Sequence, residues 1–224
     1  MEVQTVPETR SRILAGARSA APIGVAVFLV AMSFGAAASS VLGQTATIVM
    51  SCVLFAGGAQ FGATAVLASG GGAAPAILAG TLLNARFFPM SISVAPWLRG
   101  GRARRSVEGQ AVNDASWALA NEGSGRFDRE RLLGATLVQY PAWALGTALG
   151  VLGGDLLGDP ADLGLDAVFP AFFLALLVEE VRARGGLRLA LAGAGLALAL
   201  LPFVPLGLAV LVAALPALVR LRAQ

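Results

Sequence analysis

Histidine and lysine are absent from this chain, and cysteine occurs once, at Cys52. Without histidine, the Ser–His and Cys–His pairs of nucleophilic catalysis cannot form, and metal sites lose their commonest nitrogen ligand. A single cysteine excludes an internal disulfide. Without lysine there is no phosphate-binding loop of the Gly-x-x-x-x-Gly-Lys type, which argues against direct ATP hydrolysis. We therefore predict neither enzymatic activity nor a metal ion or other cofactor.

Charge is also scarce. Charged residues make up 13% of the chain, hydrophobic residues 57%, and the mean hydropathy is +0.77. Such a composition is typical of membrane proteins, in which only helical bundles and closed barrels satisfy the backbone. The apolar runs are continuous and rich in Ala, Leu and Gly, whereas barrel strands alternate with period two. We predict an all-α polytopic membrane protein.

The apolar runs define the predicted organisation: a polar N-terminal tail (1–19), one helical membrane domain (20–219) and a short C-terminal tail (220–224). Six runs approach the length of a bilayer span, which predicts about six transmembrane helices. They are 20–42, 75–98, 132–152, 165–181, 187–201 and 206–219. The run 45–69 is interrupted by Gly57-Gly58 and is either a re-entrant, broken helix or a seventh crossing.

Arginine positions favour the re-entrant alternative. If 45–69 does not cross, every arginine except Arg86 falls on one side, and the acidic loop around Asp159 falls on the other. The positive-inside rule makes the arginine side cytoplasmic and places both termini there. A full crossing by 45–69 would move the arginines at 99–105 and 126–131 outside. An additional crossing by 107–121 would return those at 126–131 to the inside.

The run 75–98 contains polar residues where a lipid-exposed helix tolerates none. Arg86 lies near its middle, where even the mildest scale gives a cost of about 2.5–3.5 kcal/mol, so it needs a partner or a polar cavity. Its guanidinium suits capture of a substrate carboxylate; the alternative is a buried arginine that only holds two helices together. Asn84 is a further candidate for substrate binding, with Phe87 and Phe88 as apolar neighbours. Pro89 predicts a kink one turn beyond Arg86.

Three other places carry candidate polar groups. At Gly57, Gly58 and Gln60, a helix broken at midplane would expose N–H groups that attract a carboxylate; the alternative is a glycine kink that allows close packing. Asp114 is predicted to pair with Arg86 or to carry a proton during coupling, the alternative being a solvated loop carboxylate. Gln139 is a secondary candidate.

Two ladders of small residues recur at intervals of four and predict close helix packing, without saying whether the partner is internal. The ladders are Ala31, Gly35, Ser39 and Gly43, and Ala142, Gly146, Gly150 and Gly154.

The motif Phe55-Ala-Gly-Gly-Ala-Gln-Phe61, followed by Leu83-Asn-Ala-Arg-Phe87, resembles the AzlC-type branched-chain amino-acid permease family. The segments around Asp114, Gln139 and Gly164 are similar to that family in order and spacing. The resemblance implies an exporter of branched-chain amino acids in the bacterial inner membrane, working with a small AzlD-type membrane subunit. Phe87 stands where family members often have His, and Ala115 stands where they often have Glu.

From these observations we predict a secondary transporter that exports leucine, isoleucine, valine or close analogues. A small-solute channel or facilitator is the main alternative, because re-entrant half-helices also suit a filter. A subunit that only assembles with a transporter is another.

Overall fold

A computed structural model describes residues 6–157, 174, 177–178, 181–182, 186–204, 212–213 and 216. Its helices are α1 (Val6–Leu42), α2 (Gln44–Val53), α3 (Gly57–Ala68), α4 (Ala73–Asn84), α5 (Phe87–Val94), α6 (Arg102–Gly109), α7 (Asp114–Ala120), α8 (Arg129–Leu157) and α9 (Gly186–Leu200). A 3₁₀ turn, Ala95–Trp97, follows α5. The predicted spans 165–181 and 206–219 lie mostly outside the described residues, whereas 187–201 is confirmed as a helix by α9.

One short β-hairpin corrects the prediction of an all-α chain. Strands β1 (Asn121–Gly123) and β2 (Arg126–Phe127) pair antiparallel between α7 and α8. Gly123, Ser124 and Gly125 all have positive φ at the turn, a backbone conformation that favours glycine. The hairpin reverses the chain within a few residues, so α8 begins close to the end of α7.

The described residues form two compact units. Residues 6–57 and 86–157 make up the first, which contains α1, α2 and α5–α8. Residues 58–85 and the described part of 164–224 make up the second, which contains α4 and nearly all of α3. Within the second unit α3 and α4 pack together, because Gly80 lies against Ala59 and Gly62 against the side chain of Leu83.

Helices α1 and α8 form the frame of the first unit and run parallel. The contacts follow the same order along both helices, which shows their common direction. Gly134 of α8 lies against Ile13 of α1, Gly146 against Phe28, and Gly150 against Met32. At each of these glycines a Cβ would collide with a backbone oxygen of α1, so the two backbones touch. The two predicted small-residue ladders therefore face each other inside one chain.

The first ladder is shorter than predicted. Gly35 packs on the backbone of Thr147 in α8, but Gly43 has φ +82 and no heavy atom within 4 Å of its Cβ position. Gly43 lies immediately after α1 instead of packing on α8, and its positive φ is a backbone conformation that favours glycine.

The N-terminal ends of α1 and α8 meet in a cluster of buried carboxylates and arginines. Asp128 accepts from Arg12 of α1 (3.2 Å), while Glu108 of α6 accepts from Arg104 (2.9 Å) and from Arg129 of α8 (2.7 Å). The bonds from Arg129, above all, lower the pKa of Glu108 from its ordinary value near 4.5 to about 2. Arginines from three separated segments therefore lie together at one end of the first unit.

Both interrupted spans break at other residues than predicted. The first break is at Leu54–Ala56, and Gly57 and Gly58 begin α3 instead of lying in the unwound part. The second break is at Ala85 and Arg86, not beyond Arg86. Pro89 explains this position, because it lacks the N–H that would bond the carbonyl of Ala85 and its ring crowds that carbonyl.

Two further sequence expectations concern membrane crossings. The segment 107–121 is divided between α6 and α7, of 8 and 7 residues, so it cannot cross as one helix. Among the described residues, Glu8–Leu42 alone is long and apolar enough to cross by itself, and α4 joined to Phe87–Trp97 would give a second span. Helix α8 has 29 residues but a more polar middle. The count of about six crossings stays a prediction.

Candidate functional site

Arg86 and Asp114 form an ion pair in the first unit. The Arg86 Nε donates to Oδ1 of Asp114 at 3.1 Å, and its Nη2 donates to Oδ2 at 2.9 Å. This bidentate arrangement is the strongest geometry for an arginine and a carboxylate. The predicted pairing of these two residues is therefore confirmed, and Asp114 is not merely a solvated loop carboxylate.

Local backbone structure places each partner. Arg86 lies at the break, immediately before α5, and its guanidinium carbon lies 4.9 Å from the centre of the Phe87 ring. Asp114 is the first residue of α7, which begins with a capping box: the Asn113 side chain accepts from the backbone of Ser116, and the Ser116 hydroxyl accepts from that of Asn113. The cap fixes the direction of the first turn, and with it the Asp114 carboxylate.

A second contact joins the same two helices. The Trp117 indole of α7 donates to the Ser93 hydroxyl of α5 at 2.9 Å, and the ring packs on Phe127. Arg86 and Ser93 therefore both contact α7 through hydrogen bonds. Trp117 also packs against a small apolar core formed by Val94, Ala111, Val112, Ala120, Phe127 and Leu132. Phe88 lies on a different side and is 72% exposed.

The pair is partly accessible, with side-chain exposures of 33% for Arg86 and 24% for Asp114. Both side chains are therefore only partly enclosed by protein.

A second set of polar side chains lies on one face of α8. Gln139, Trp143 and Thr147 follow each other at intervals of four and are all buried, at 1%, 4% and 0% exposure. Thr147 donates to the hydroxyl of Ser51 in α2 at 3.0 Å, and Trp143 stacks on Phe34 of α1 at 5.8 Å. This face is thus enclosed by α1 and by the end of α2.

Two hydrogen-bond donors on this face have no hydrogen-bond acceptor among the residues that the structure describes. They are Nε2 of Gln139 and Nε1 of Trp143, and both atoms are buried. Unpaired buried donors cost free energy, so each demands an explanation. Only Gln139 of this group was selected from the sequence. The interval of four between Gln139, Trp143 and Thr147 is the pattern that could have identified the other two.

Gly57 is required by this face of α8. A Cβ at Gly57 would lie 2.7 Å from Cη2 of Trp143, so no larger residue fits without moving the indole. The close-packing alternative for Gly57 therefore has direct support. The N–H groups at Gly57 and Gly58 belong to the first turn of α3, where an intrahelical acceptor is lacking.

The second unit contains the remaining candidates. Gln60 of α3 is fully buried, and Oδ1 of Asn84, the last residue of α4, is buried without a hydrogen-bond donor among the described residues. Their assignment to substrate binding, and that of Gly58, stays a prediction. No group of three or more His, Cys, Asp or Glu side chains suited to a metal ion occurs in the described part of the chain.

Comparison with known proteins identifies the family. The AzlC protein family matches residues 22–157, more than half of the chain. The chain belongs to the AzlC family. The match begins within α1 and ends with α8, so it includes the break at Arg86, the Asp114 cap and the buried face of α8.

Three relatives extend the similarity of this AzlC-family chain beyond that region. An uncharacterized membrane protein of Archaeoglobus fulgidus is 32% identical over 80% of both chains. The branched-chain amino acid transport protein AzlC of Bacillus subtilis is 28% identical over 88% of this chain and 80% of its own. The inner membrane protein YgaZ of Escherichia coli is 25% identical over 77% and 74%. No solved structure matches this AzlC-family chain.

Proposed function

We propose that this protein is a secondary transporter that exports branched-chain amino acids across the cytoplasmic membrane, together with a small AzlD-type membrane subunit. Membership of the AzlC family and the name of the Bacillus subtilis relative support transport of this substrate class. The lack of a phosphate-binding loop in the sequence favours an ion gradient as the energy source.

The observation that carries the coupling part of the proposal is the bidentate Arg86–Asp114 pair at a helix break. Asp114 takes up a proton from the outer side, the pair opens, and α5 and α7 are free to change their packing. When Asp114 releases the proton on the inner side, the pair closes again. One proton therefore moves inward in each cycle, which supplies the energy for outward transport of the amino acid.

The topology that we propose places the arginine cluster in the cytoplasm. Arg12 and Arg129 meet the same cluster, and α1 and α8 are parallel, so both helices begin on one side of the membrane. The chain must then cross an even number of times before α8. Because α1 crosses once and neither α6 nor α7 is long enough, only one of the segments 45–69 and 75–98 crosses fully.

We assign the re-entrant role to 45–69. Its halves α2 and α3 have 10 and 12 residues, about 15 and 18 Å, and neither can cross 30 Å of hydrocarbon alone. The end of α2 lies beside the middle of α8, since Ser51 contacts Thr147. A half-helix that stops at that depth is tolerated where protein surrounds its end.

Export of radiolabelled leucine and valine from preloaded cells tests the proposal, with the chain expressed with and without its small partner. In proteoliposomes, Asp114→Asn should reduce proton-driven export at least about 10-fold, while leucine–leucine counterflow, which needs no gradient, continues. Arg102→Gln removes an exposed arginine away from the pair and serves as the control.

The outcomes separate the parts of the proposal. Absence of leucine and valine export by the wild type with its partner would contradict the substrate class. Undiminished proton-driven export by Asp114→Asn, at equal protein in the membrane, would remove the coupling role. Export that does not saturate and shows no counterflow would favour the channel alternative.

A further inference from the structure

We propose that the buried face of α8, with Gln139 and Trp143 as donors, is the binding site for the α-amino and carboxylate groups of the transported amino acid. This inference rests on the proposed function and names the residues that recognise its substrate. It assigns the carboxylate to neutral donors on α8, whereas the sequence alone favoured Arg86 or the glycines at the start of α3.

The two donors are the first observation. Nε2 of Gln139 and Nε1 of Trp143 belong to side chains that are 1% and 4% exposed, and neither atom has an acceptor in the described part of the chain. They are one helical turn apart on a single face, so both can reach one carboxylate. A carboxylate accepts several hydrogen bonds at once, and each such bond is stronger than one between neutral groups.

Their depth in the molecule is the second observation. Along α8, Gln139 and Trp143 lie about 15 and 21 Å beyond Arg129, at 1.5 Å per residue. Arg129 marks the polar end of the helix through its bonds to Glu108. The donors are thus near the middle of a helix of 29 residues, which crosses the membrane in the proposed topology. Secondary transporters bind their substrates near the bilayer midplane.

The end of α2 supplies the opposite polarity in the same place. Helix α2 ends at Val53, and the carbonyl of Cys52 accepts from the Tyr140 hydroxyl on α8. Carbonyl groups in the last turn of a helix carry partial negative charge and have two lone pairs each, so they can accept a further bond from an ammonium group. Donors from α8 and acceptors from α2 together match a zwitterion, which has no net charge to bury.

Arg86 is already occupied in this arrangement. Its Nε and Nη2 both donate to Asp114, so a substrate carboxylate would have to displace that partner. At the α8 face no protein acceptor among the described residues has to be displaced. Binding there also removes the cost of two buried, unpaired donors, which is a further reason to prefer it.

Calorimetric titration of the purified full-length chain in lipid nanodiscs, with L-leucine as the probe, tests the site. Trp143→Phe removes the indole N–H and keeps an aromatic ring, and Gln139→Leu removes the amide at similar volume. Each should weaken leucine binding on the order of 10-fold, because a hydrogen bond to a charged group is lost. Trp97→Phe, in the 3₁₀ turn after α5, is the matched control and should bind leucine like the wild type.

Two leucine analogues test which functional groups of the amino acid the site recognises. Leucinamide lacks the carboxylate and 4-methylpentanoate lacks the ammonium, and each should bind the wild type at least about 10-fold more weakly than leucine. Trp143→Phe and Gln139→Leu should lower the affinity for 4-methylpentanoate but hardly that for leucinamide, which makes no carboxylate contact to lose.

Failure of the site and failure of the function give different results. If both variants are folded and bind leucine with the dissociation constant of the wild type, the proposed site is wrong. The proposed transport function would then stand. No leucine or valine binding by the wild type, with or without the small partner, contradicts the function itself and the site with it. Thermal unfolding of each variant shows which ones are folded.

Discussion

Gly35 of α1 lies against the backbone oxygen of Thr147 in α8, with no room for a Cβ between the two helices. Gly35→Val should therefore push the helices apart and lower the free energy of unfolding by about 1–3 kcal/mol. Thermal unfolding in detergent measures the loss. Gly109→Ala is the control, because nothing lies within 4 Å of its Cβ position, and it should be neutral or stabilise by up to about 1 kcal/mol. Equal stability of Gly35→Val and the wild type would contradict the contact.

Glu108 should make stability depend on pH in the acid range. Its pKa in the folded protein, about 2, is below the ordinary value near 4.5, because Arg129 and Arg104 donate to the carboxylate. The stabilisation is fully present above pH 4.5 and is lost as the pH falls toward 2. It amounts to about 3 kcal/mol, the equivalent of the shift.

Glu108→Gln should remove that dependence. The variant should unfold at a lower temperature than the wild type at pH 7, and the difference between the two should shrink steadily below pH 4.5. Melting temperatures at a series of pH values provide the measurement. A difference that is the same at pH 7 and at pH 3 would mean that the carboxylate's charge contributes nothing.

Asn113 should affect transport through the position of Asp114. Asn113→Ala removes the helix cap of α7 and should cost about 1 kcal/mol of stability, together with a several-fold loss of proton-driven export. Asn113→Ser can still accept from the same backbone groups and should restore both. Leucine export and thermal unfolding are measured side by side; loss of export in the serine variant as well would exclude an effect of the cap.

Cysteine labelling should reveal the membrane topology. In a Cys52→Ser background, an impermeant maleimide should reach Glu8→Cys and Glu122→Cys only from the cytoplasmic side. Gln44→Cys, after α1, should react only from outside. Ser69→Cys lies between the two broken segments and decides which one crosses: reaction from outside supports a re-entrant 45–69, and reaction from inside makes 75–98 the re-entrant segment.

Several features could be predicted because a single physical rule governs each of them. An arginine near the middle of an apolar run needs a counter-charge, and Asp114 was a candidate partner for Arg86 for that reason. Small residues at intervals of four predict touching helices, and α1 and α8 touch as expected at Gly35 and Gly146.

Other features could not be read from local patterns. The break after α2 falls at Leu54–Ala56, ahead of the glycines. Gly57 instead packs against Trp143, a residue far along the chain. Glu108 and Asp128 were not selected from the sequence, yet both are buried and bond to arginines from distant segments. The face of α8 that we assign to substrate binding also depends on α1 and α2, whose positions only the folded chain shows.

The pairing of α1 with α8 has a consequence for biosynthesis. Arg12 and its partner Asp128 are separated by 116 residues, so at about 5–20 residues per second the ribosome needs roughly 6–23 s to supply the partner. During that interval the face of α1 that will contact α8, which includes Gly35, is covered only by lipid or by another protein. The last step of assembly is then the arrival of α8, and a chain truncated before Arg129 should be a target for membrane proteases.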